Sequence, residues 1–197
     1  MQHAYQPKPS AEDYLSAEEG SGIRHEYVDG EVYAMAGAGE AHNLIALNVA
    51  SGLRSLVRGG PCRVFIADMK LRVAEWNAFY YPDVMVVCNP ADAHSHYKEQ
   101  PSTVIEVMSP TTESTDRREK LLAYRTLPSL REYVLIAQDR RHIEVYRRGA
   151  DGALKHEVLA AGAPLSLESV GASLTQDAVY EDVTFLSNVP ISPVDIA

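Results

Sequence analysis

An α/β sandwich, with a central mixed β-sheet flanked by helices and an N-terminal helix and β-hairpin, is the fold class this sequence predicts. Three observations predict it. An Asp-Gly pair lies between short alternating runs near the start. A stretch from His42 to Arg58 carries apolar residues at helical spacing. Several Val-, Ile-, Phe- and Tyr-rich segments follow, interrupted by one further helical stretch. The 197 residues, 46% of them hydrophobic, suit one domain with a core over about 11–187 and peripheral tails at 1–9 and 188–197.

Taken in order, Ala11 to Glu19 reads as a short helix with Ser10 as its N-cap and acidic residues in the first turn, stopped by Gly20 and Gly22. Arg24 to Met35 reads as a hairpin around Asp29-Gly30, with Glu31, Tyr33 and Met35 on one face. In the next helix Ile45, Val49, Leu53 and Leu56 form an apolar stripe that His42 extends, and Gly59-Gly60-Pro61 ends it. Cys62 to Val73, Phe79 to Cys88 and Thr103 to Met108 read as three strands of a mostly antiparallel sheet. A helix over about 112–127 and strands at Glu132 to Ala137 and His142 to Arg147 complete the pattern. Cys62 and Cys88 have neither metal-ligand spacing nor scaffold density and read as buried thiols.

No run approaches the roughly 18 apolar residues of a membrane helix, and the N-terminus has no apolar signal core, so the expected location is cytoplasmic, without membrane attachment. The net charge of −9, from 27 acidic and 18 basic residues, argues against nucleic-acid binding through overall positive charge. Between Arg117 and Arg148, however, nine Lys or Arg face four Asp or Glu, leaving −14 on the remainder. Such a cluster forms either a phosphate-facing surface, with Arg117 and Arg118 as nucleic-acid contacts, or a solvated basic face.

Two carboxylates stand where apolar side chains are expected. Glu106 interrupts Thr103-Val104-Ile105-Glu106-Val107-Met108, whose neighbours on both sides fit a strand buried on both faces. Asp83 opens Val84-Met85-Val86-Val87 directly after Pro82. A buried ion costs several kcal/mol unless paired or bound to metal. Antiparallel pairing through the loop Asn89 to Ser102 would bring both acids to one face, where a hard cation such as Mg²⁺ (Mn²⁺ being the alternative) relieves their repulsion. For either acid alone, a strand-end Asp or an ion-paired Glu is the structural alternative. Lys120 shares a helical sector with Ala123, Tyr124 and Leu127 and therefore points to the sheet. A lone lysine there would pack its stem and extend its ammonium to water, whereas beside two buried acids it becomes their counter-charge.

These residues carry a resemblance to the Uma-two family, a restriction-endonuclease-like branch of the PD-(D/E)XK nuclease superfamily. It spans roughly Ala11 to Arg148. It rests on Arg24-His25-Glu26-Tyr27-Val28-Asp29-Gly30-Glu31, on Tyr81-Pro82-Asp83-Val84, on Ile105-Glu106-Val107-Met108-Ser109-Pro110-Thr111-Thr112, and on Asp116, Lys120, Tyr124 and Glu132-Tyr133. The resemblance implies a restriction-endonuclease-like sandwich. It implies Asp83, Glu106 and Lys120 as the catalytic set, with Asp83, Glu106 and the Val107 main-chain carbonyl on the metal. Met108 stands where the superfamily lysine usually lies, and Lys120 takes that role from the following helix. Glu31, His42 and Tyr124 are accessory pocket residues by the same resemblance. Val134 and Ala137 stand where the family commonly has Trp and Asp, and a glycine is missing around Pro128-Ser129-Leu130.

The implied activity is metal-dependent hydrolysis of DNA phosphodiesters, with Lys120 orienting water or offsetting developing charge. A homodimer would fit, since superfamily nucleases often pair to cut both strands. Two other classes stay open: a catalytically silent interaction or nucleic-acid-binding module, and a hydrolase of small phosphorylated or acyl substrates. The last lacks both a nucleophile elbow and a phosphate-cradling glycine loop.

Overall fold

The protein is described here by a computed structural model covering residues 8–35, 37–110 and 112–185. The expected tails fall outside it apart from Lys8 and Pro9. Helix α1 (Ala11–Glu19) opens with the expected cap: Asp13 N–H donates to Ser10 Oγ at 3.1 Å, and Ser10 N–H donates to the Asp13 carboxylate. Strands β1 (His25–Val28) and β2 (Glu31–Ala34) meet in a turn where Asp29 and Gly30 both take positive φ, 46° and 87°. All of β2 is exposed, so the face shared by Glu31 and Tyr33 covers no core. Helix α2 (Glu40–Leu56) buries Ile45, Val49 and Leu53, while Leu56 points outward.

Two of the expected strands are each divided in two, and the halves join different sheets. The first gives β3 (Arg63–Ile66) and β4 (Lys70–Val73), separated by a turn closed by Met69 N–H on the Ile66 carbonyl. The second gives β5 (Ala78–Tyr80) and β6 (Val84–Val87). Pro82 has no N–H to continue a ladder, and the chain changes sheets there. With β7 (Tyr97–Lys98), one sheet runs β2-β1-β5-β4-β7. The other contains β8 (Thr103–Met108), β9 (Glu132–Ala137), β10 (Ile143–Arg148) and β11 (Leu154–Val158) in the order β11-β10-β9-β8-β6-β3. It is mixed, because β8 and β9 run parallel while its other pairs are antiparallel.

This six-stranded sheet is the middle layer, which explains why β8 and β9 are buried at every position. Val84, Ile105, Val107, Val134 and Ile136 pack on one face against α2, the hairpin β12 (Leu165–Leu167) and β13 (Ala172–Leu174), and α5 (Gln176–Val179). Met85, Val104, Met108, Tyr133 and Leu135 pack on the other, against the second sheet and helix residues Ala123 and Tyr124. That helix is composite: α3 (Glu113–Thr115), a π-helical turn Asp116–Lys120, and α4 (Leu121–Tyr124). Among the described residues no helix is long and apolar enough to cross a membrane.

Cys62 and Cys88 form a disulfide rather than separate thiols. Register is the reason: Arg63 pairs with Val87, so the two cysteines lie opposite each other just beyond the ladder. Closing a 26-residue separation restricts the unfolded chain. Cys62→Ser with Cys88→Ser is therefore expected to cost about 3 kcal/mol and to lower the melting midpoint by roughly 6–12 °C. Thermal denaturation checks this, and a double variant melting with the wild type would refute it.

Candidate active site

Glu106 and Asp83 meet where β6 leaves its pairing with β8. The ladder ends at Val84 opposite Ile105, and one residue further Asp83 replaces a strand partner: its Oδ2 accepts the Val107 N–H at 2.7 Å. Asp83 N–H in turn lies 3.4 Å from Glu106 Oε2. Strand alternation turns Glu106 with Val104 and Met108 toward the composite helix, while Val107 faces α2. The two acids are neighbours through the Asp83 N–H, the Asp83 carboxylate being held by the Val107 N–H and His42 while the Glu106 carboxylate meets Lys120 and Tyr124.

The helix returns over them from a turn in which Ser109 and Thr112 cap each other: Thr112 N–H donates to Ser109 Oγ, and Ser109 N–H to Thr112 Oγ1, both at 3.2 Å. Lys120 Nζ is buried 3.3 Å from Glu106 Oε1, 3.1 Å from Glu26 Oε1 and 3.5 Å from Asp116 Oδ1. Tyr124 donates its hydroxyl to Glu106 Oε1 at 3.0 Å. On the α2 side, His42 Nε2 stands 3.3 Å from Asp83 Oδ2.

The electrostatics follow from burial and from the ratio of acids to cations. Burial pushes the Glu106 carboxyl well above the ordinary range; Lys120 opposes this, while Asp116, Asp83 and Glu26 add to it. Burial also raises Asp116, against the pull of Lys120. For Lys120, burial alone would release the proton, but the surrounding carboxylates outweigh it and hold the ammonium well above its usual value. His42 is raised likewise: burial works against its charge and the Asp83 carboxylate prevails.

Sequence reasoning brought Asp83, Glu106, Lys120, His42 and Tyr124 to this place, and they converge. Glu31 does not join them: it is exposed at the hairpin tip, 3.0 Å from Lys8. Glu26 reaches Lys120 instead and also accepts the Tyr81 N–H at 3.2 Å. A signal for it existed, since strand alternation puts Glu26 on the face opposite Tyr27, which packs with Tyr14 and Phe79. Asp116 had one as well, lying one helical turn before Lys120.

The donor set suits a hard divalent cation. Two carboxylates and a main-chain carbonyl are oxygen ligands of the kind Mg²⁺ takes alongside water. Asp116 Oδ1 is buried beside them with no hydrogen-bond partner, and the Lys120 ammonium stands 3.5 Å from it, which leaves room for a water to donate to it. Among the described residues no group of three His, Cys, Asp or Glu side chains is arranged to hold a metal.

Arg117 is engaged by two acids of its own chain. Both its terminal nitrogens reach Glu144, at 2.8 and 2.6 Å, and its Nε reaches Glu113 at 2.8 Å; Arg118 beside it is exposed. His142 and His156 also touch Glu144, each at 2.8 Å. Arg117 foremost, then the two histidines, overcome burial and hold the Glu144 carboxyl at about 2. A depressed carboxyl stabilises the fold above its unfolded value and loses that contribution as pH falls. Glu144→Gln should therefore be about 1–3 kcal/mol less stable at neutral pH. The gap should close as pH drops from the ordinary glutamate range toward 2, as chemical denaturation at several pH values would read. A gap independent of pH would count against this account.

A mixed sheet covered on both faces, with paired acids at a strand end and a lysine arriving from the next helix, defines a restriction-endonuclease-like protein. The chain belongs to the Uma2 family, described as "Putative restriction endonuclease", whose model matches residues 11–178. An uncharacterized protein of Synechocystis sp. is 34% identical over 180 residues, covering 91% of this chain and 95% of the relative. A second uncharacterized Synechocystis protein is 33% identical over 145 residues, covering 72% of this chain and 82% of the relative. The crystal structure of a "putative nuclease belonging to DUF820" from Anabaena variabilis superposes with a TM-score of 0.71 at 17% identity, covering 87% of this chain and 97% of that one, and shares the fold.

Proposed function

We propose that this protein hydrolyses DNA phosphodiester bonds with the help of a divalent cation held by Asp83, Glu106 and the Val107 carbonyl. The observation that carries the reading is the meeting, at the end of β6 and β8, of partly buried Asp83 with buried Glu106, which is itself paired with buried Lys120. Bound Mg²⁺, or Mn²⁺ on the same oxygen donors, would polarise a phosphoryl oxygen and acidify an attacking water. Lys120 is the residue placed to orient that water and to offset charge developing on the phosphate. Glu26 and Asp116 keep Lys120 protonated and fix its ammonium. Tyr124 orients Glu106, and His42 holds Asp83 from the opposite face. The protein acts from the cytoplasm on this reading, and pairing of two copies would allow cleavage of both strands.

Conversion of supercoiled plasmid to the nicked form at low salt tests the reaction. Nicking is expected with Mg²⁺ or Mn²⁺ and none with chelator. Equal nicking with chelator, or none with either metal, would overturn the proposal.

A further inference from the structure

Most cations of this acidic chain are already committed within the molecule. In the basic segment from Arg117 to Arg148, Arg117 holds Glu113 and Glu144, Arg140 holds Asp139, Arg141 holds Asp177 and Arg147 holds Glu157. Arg148 donates to the carbonyls of Leu130, Gly152, Arg125 and Leu127. With Lys120, which is held by Glu26, Glu106 and Asp116, six of the segment's nine cations are engaged from within. Among the described residues Arg118, Arg125 and Arg131 keep no side-chain partner, and they do not line the cavity shared by Arg54, Arg58 and Arg63. Elsewhere Lys8, Arg24, Arg72 and Lys155 have acidic partners, Lys98 donates to two carbonyls, and Lys70 lies over the Tyr81 ring.

Arg54, Arg58 and Arg63 are the exceptions outside that segment. Among the described residues they have no hydrogen-bonded or ionic partner, and all three line one open cavity of about 320 Å³. Its other walls are Val57, Gly59, Cys62, Val64 and Phe65, without an acid. Arg54 and Arg58 lie around the C-terminal end of α2, where the helix dipole favours cations. Arg63 comes from the edge strand β3, and the dipole does not account for it. The Cys62–Cys88 bond, next to the Arg63–Val87 pair, fixes that wall in place. Three exposed arginines line one hollow with no acid among its walls, like charges whose repulsion an anion between them would relieve, and the guanidinium fork matches phosphate oxygens.

We infer that this cavity is an anion site for backbone phosphates of a nucleic acid lying across the protein, several nucleotides from the bond to be cut. This rests on the proposed nuclease reading. Arg63 pairs with Val87, four residues along β6 from Asp83, a span of roughly 13 Å. Arg54 on α2 and Arg58 just past it lie 12 and 16 residues after His42, which contacts Asp83, a span of roughly 18–24 Å. One strand of a duplex carries a phosphate about every 3.4 Å of axis, so the cavity would meet the backbone roughly four to seven steps from the scissile phosphate.

The test is fluorescence anisotropy of a labelled duplex over a salt series in chelator, with the full chain and with Arg54→Ala/Arg58→Ala/Arg63→Ala. A parallel calorimetric arm titrates inorganic pyrophosphate. The triple variant is expected to bind duplex at least about tenfold more weakly at low salt and to reduce the slope of log affinity against log salt by about 2–3. Unchanged affinity and slope would overturn the site while leaving plasmid cleavage, and hence the nuclease reading, intact. Arginine-dependent duplex binding without metal-dependent cleavage would support the site and remove the nuclease reading. Pyrophosphate binding through these arginines without duplex binding would identify a small phosphorylated ligand and overturn the backbone assignment. Binding of neither would overturn the inference altogether.

Discussion

Lys120→Met is expected to destabilise the protein by about 3–5 kcal/mol, the cost of leaving buried charge without its partner. Its ammonium lies within 3.5 Å of three carboxylates, on Glu26, Glu106 and Asp116. Methionine fills most of the volume, so packing is nearly preserved and the loss is electrostatic. At roughly 2–4 °C per kcal/mol for a chain of this size, the melting midpoint should fall on the order of 10 °C. Part of this should return when pH falls far enough to protonate Glu106 and Asp116, both already raised by burial. Cleavage should vanish with the lysine. A Lys120→Met protein as stable as the wild type across pH would mean that the acids find other partners.

Glu106→Gln should behave in the opposite way toward stability while disabling the same site. Three acids share one lysine here, so removing an acid relieves repulsion whereas removing the lysine exposes it. The Glu106 carboxyl is raised by burial and by its acidic neighbours, so folding favours its neutral form. Its contribution is fully present below the ordinary glutamate range and is lost as pH rises through the raised value. Glutamine remains neutral throughout and keeps an oxygen for the Tyr124 hydroxyl. The stability of Glu106→Gln relative to wild type should therefore increase with pH above about 4.3. Its affinity for Mg²⁺ or Mn²⁺ should fall by at least about a hundredfold, read by calorimetric titration. Wild-type metal affinity in this variant would move the cation away from Glu106.

The contrast between these two variants was partly legible in the sequence. Glu106 announces itself by standing among Val104, Ile105, Val107 and Met108, and Lys120 by falling in the sector of Ala123 and Tyr124. Asp83 is marked by Pro82, which also ends β5 and moves the chain to another sheet. That change of sheet was hidden, because Phe79 to Cys88 has continuous strand character and only tertiary packing divides it. Glu26 carried only the weak signal of alternation against Tyr27, and with Glu31 on the same hairpin the observed contacts show which glutamate reaches Lys120. The C-terminal strands gave weak signals. β11 is largely exposed and lacks apolar alternation, and β12 and β13 span three residues each. Charge counting misled where it ignored pairing, as Arg117 shows, since Glu113 and Glu144 occupy its guanidinium.

The most direct test of the account is the plasmid-nicking assay run side by side on wild type, Asp83→Ala and Lys120→Ala, at low salt with Mg²⁺, Mn²⁺ or chelator. Metal-dependent nicking by the wild type, lost in both variants, is the predicted result. Nicking that survives in Asp83→Ala would contradict the assigned site. A wild type that binds Mg²⁺ or Mn²⁺ through Asp83 yet cuts nothing would contradict the activity, and would leave a nuclease fold serving as a binding module.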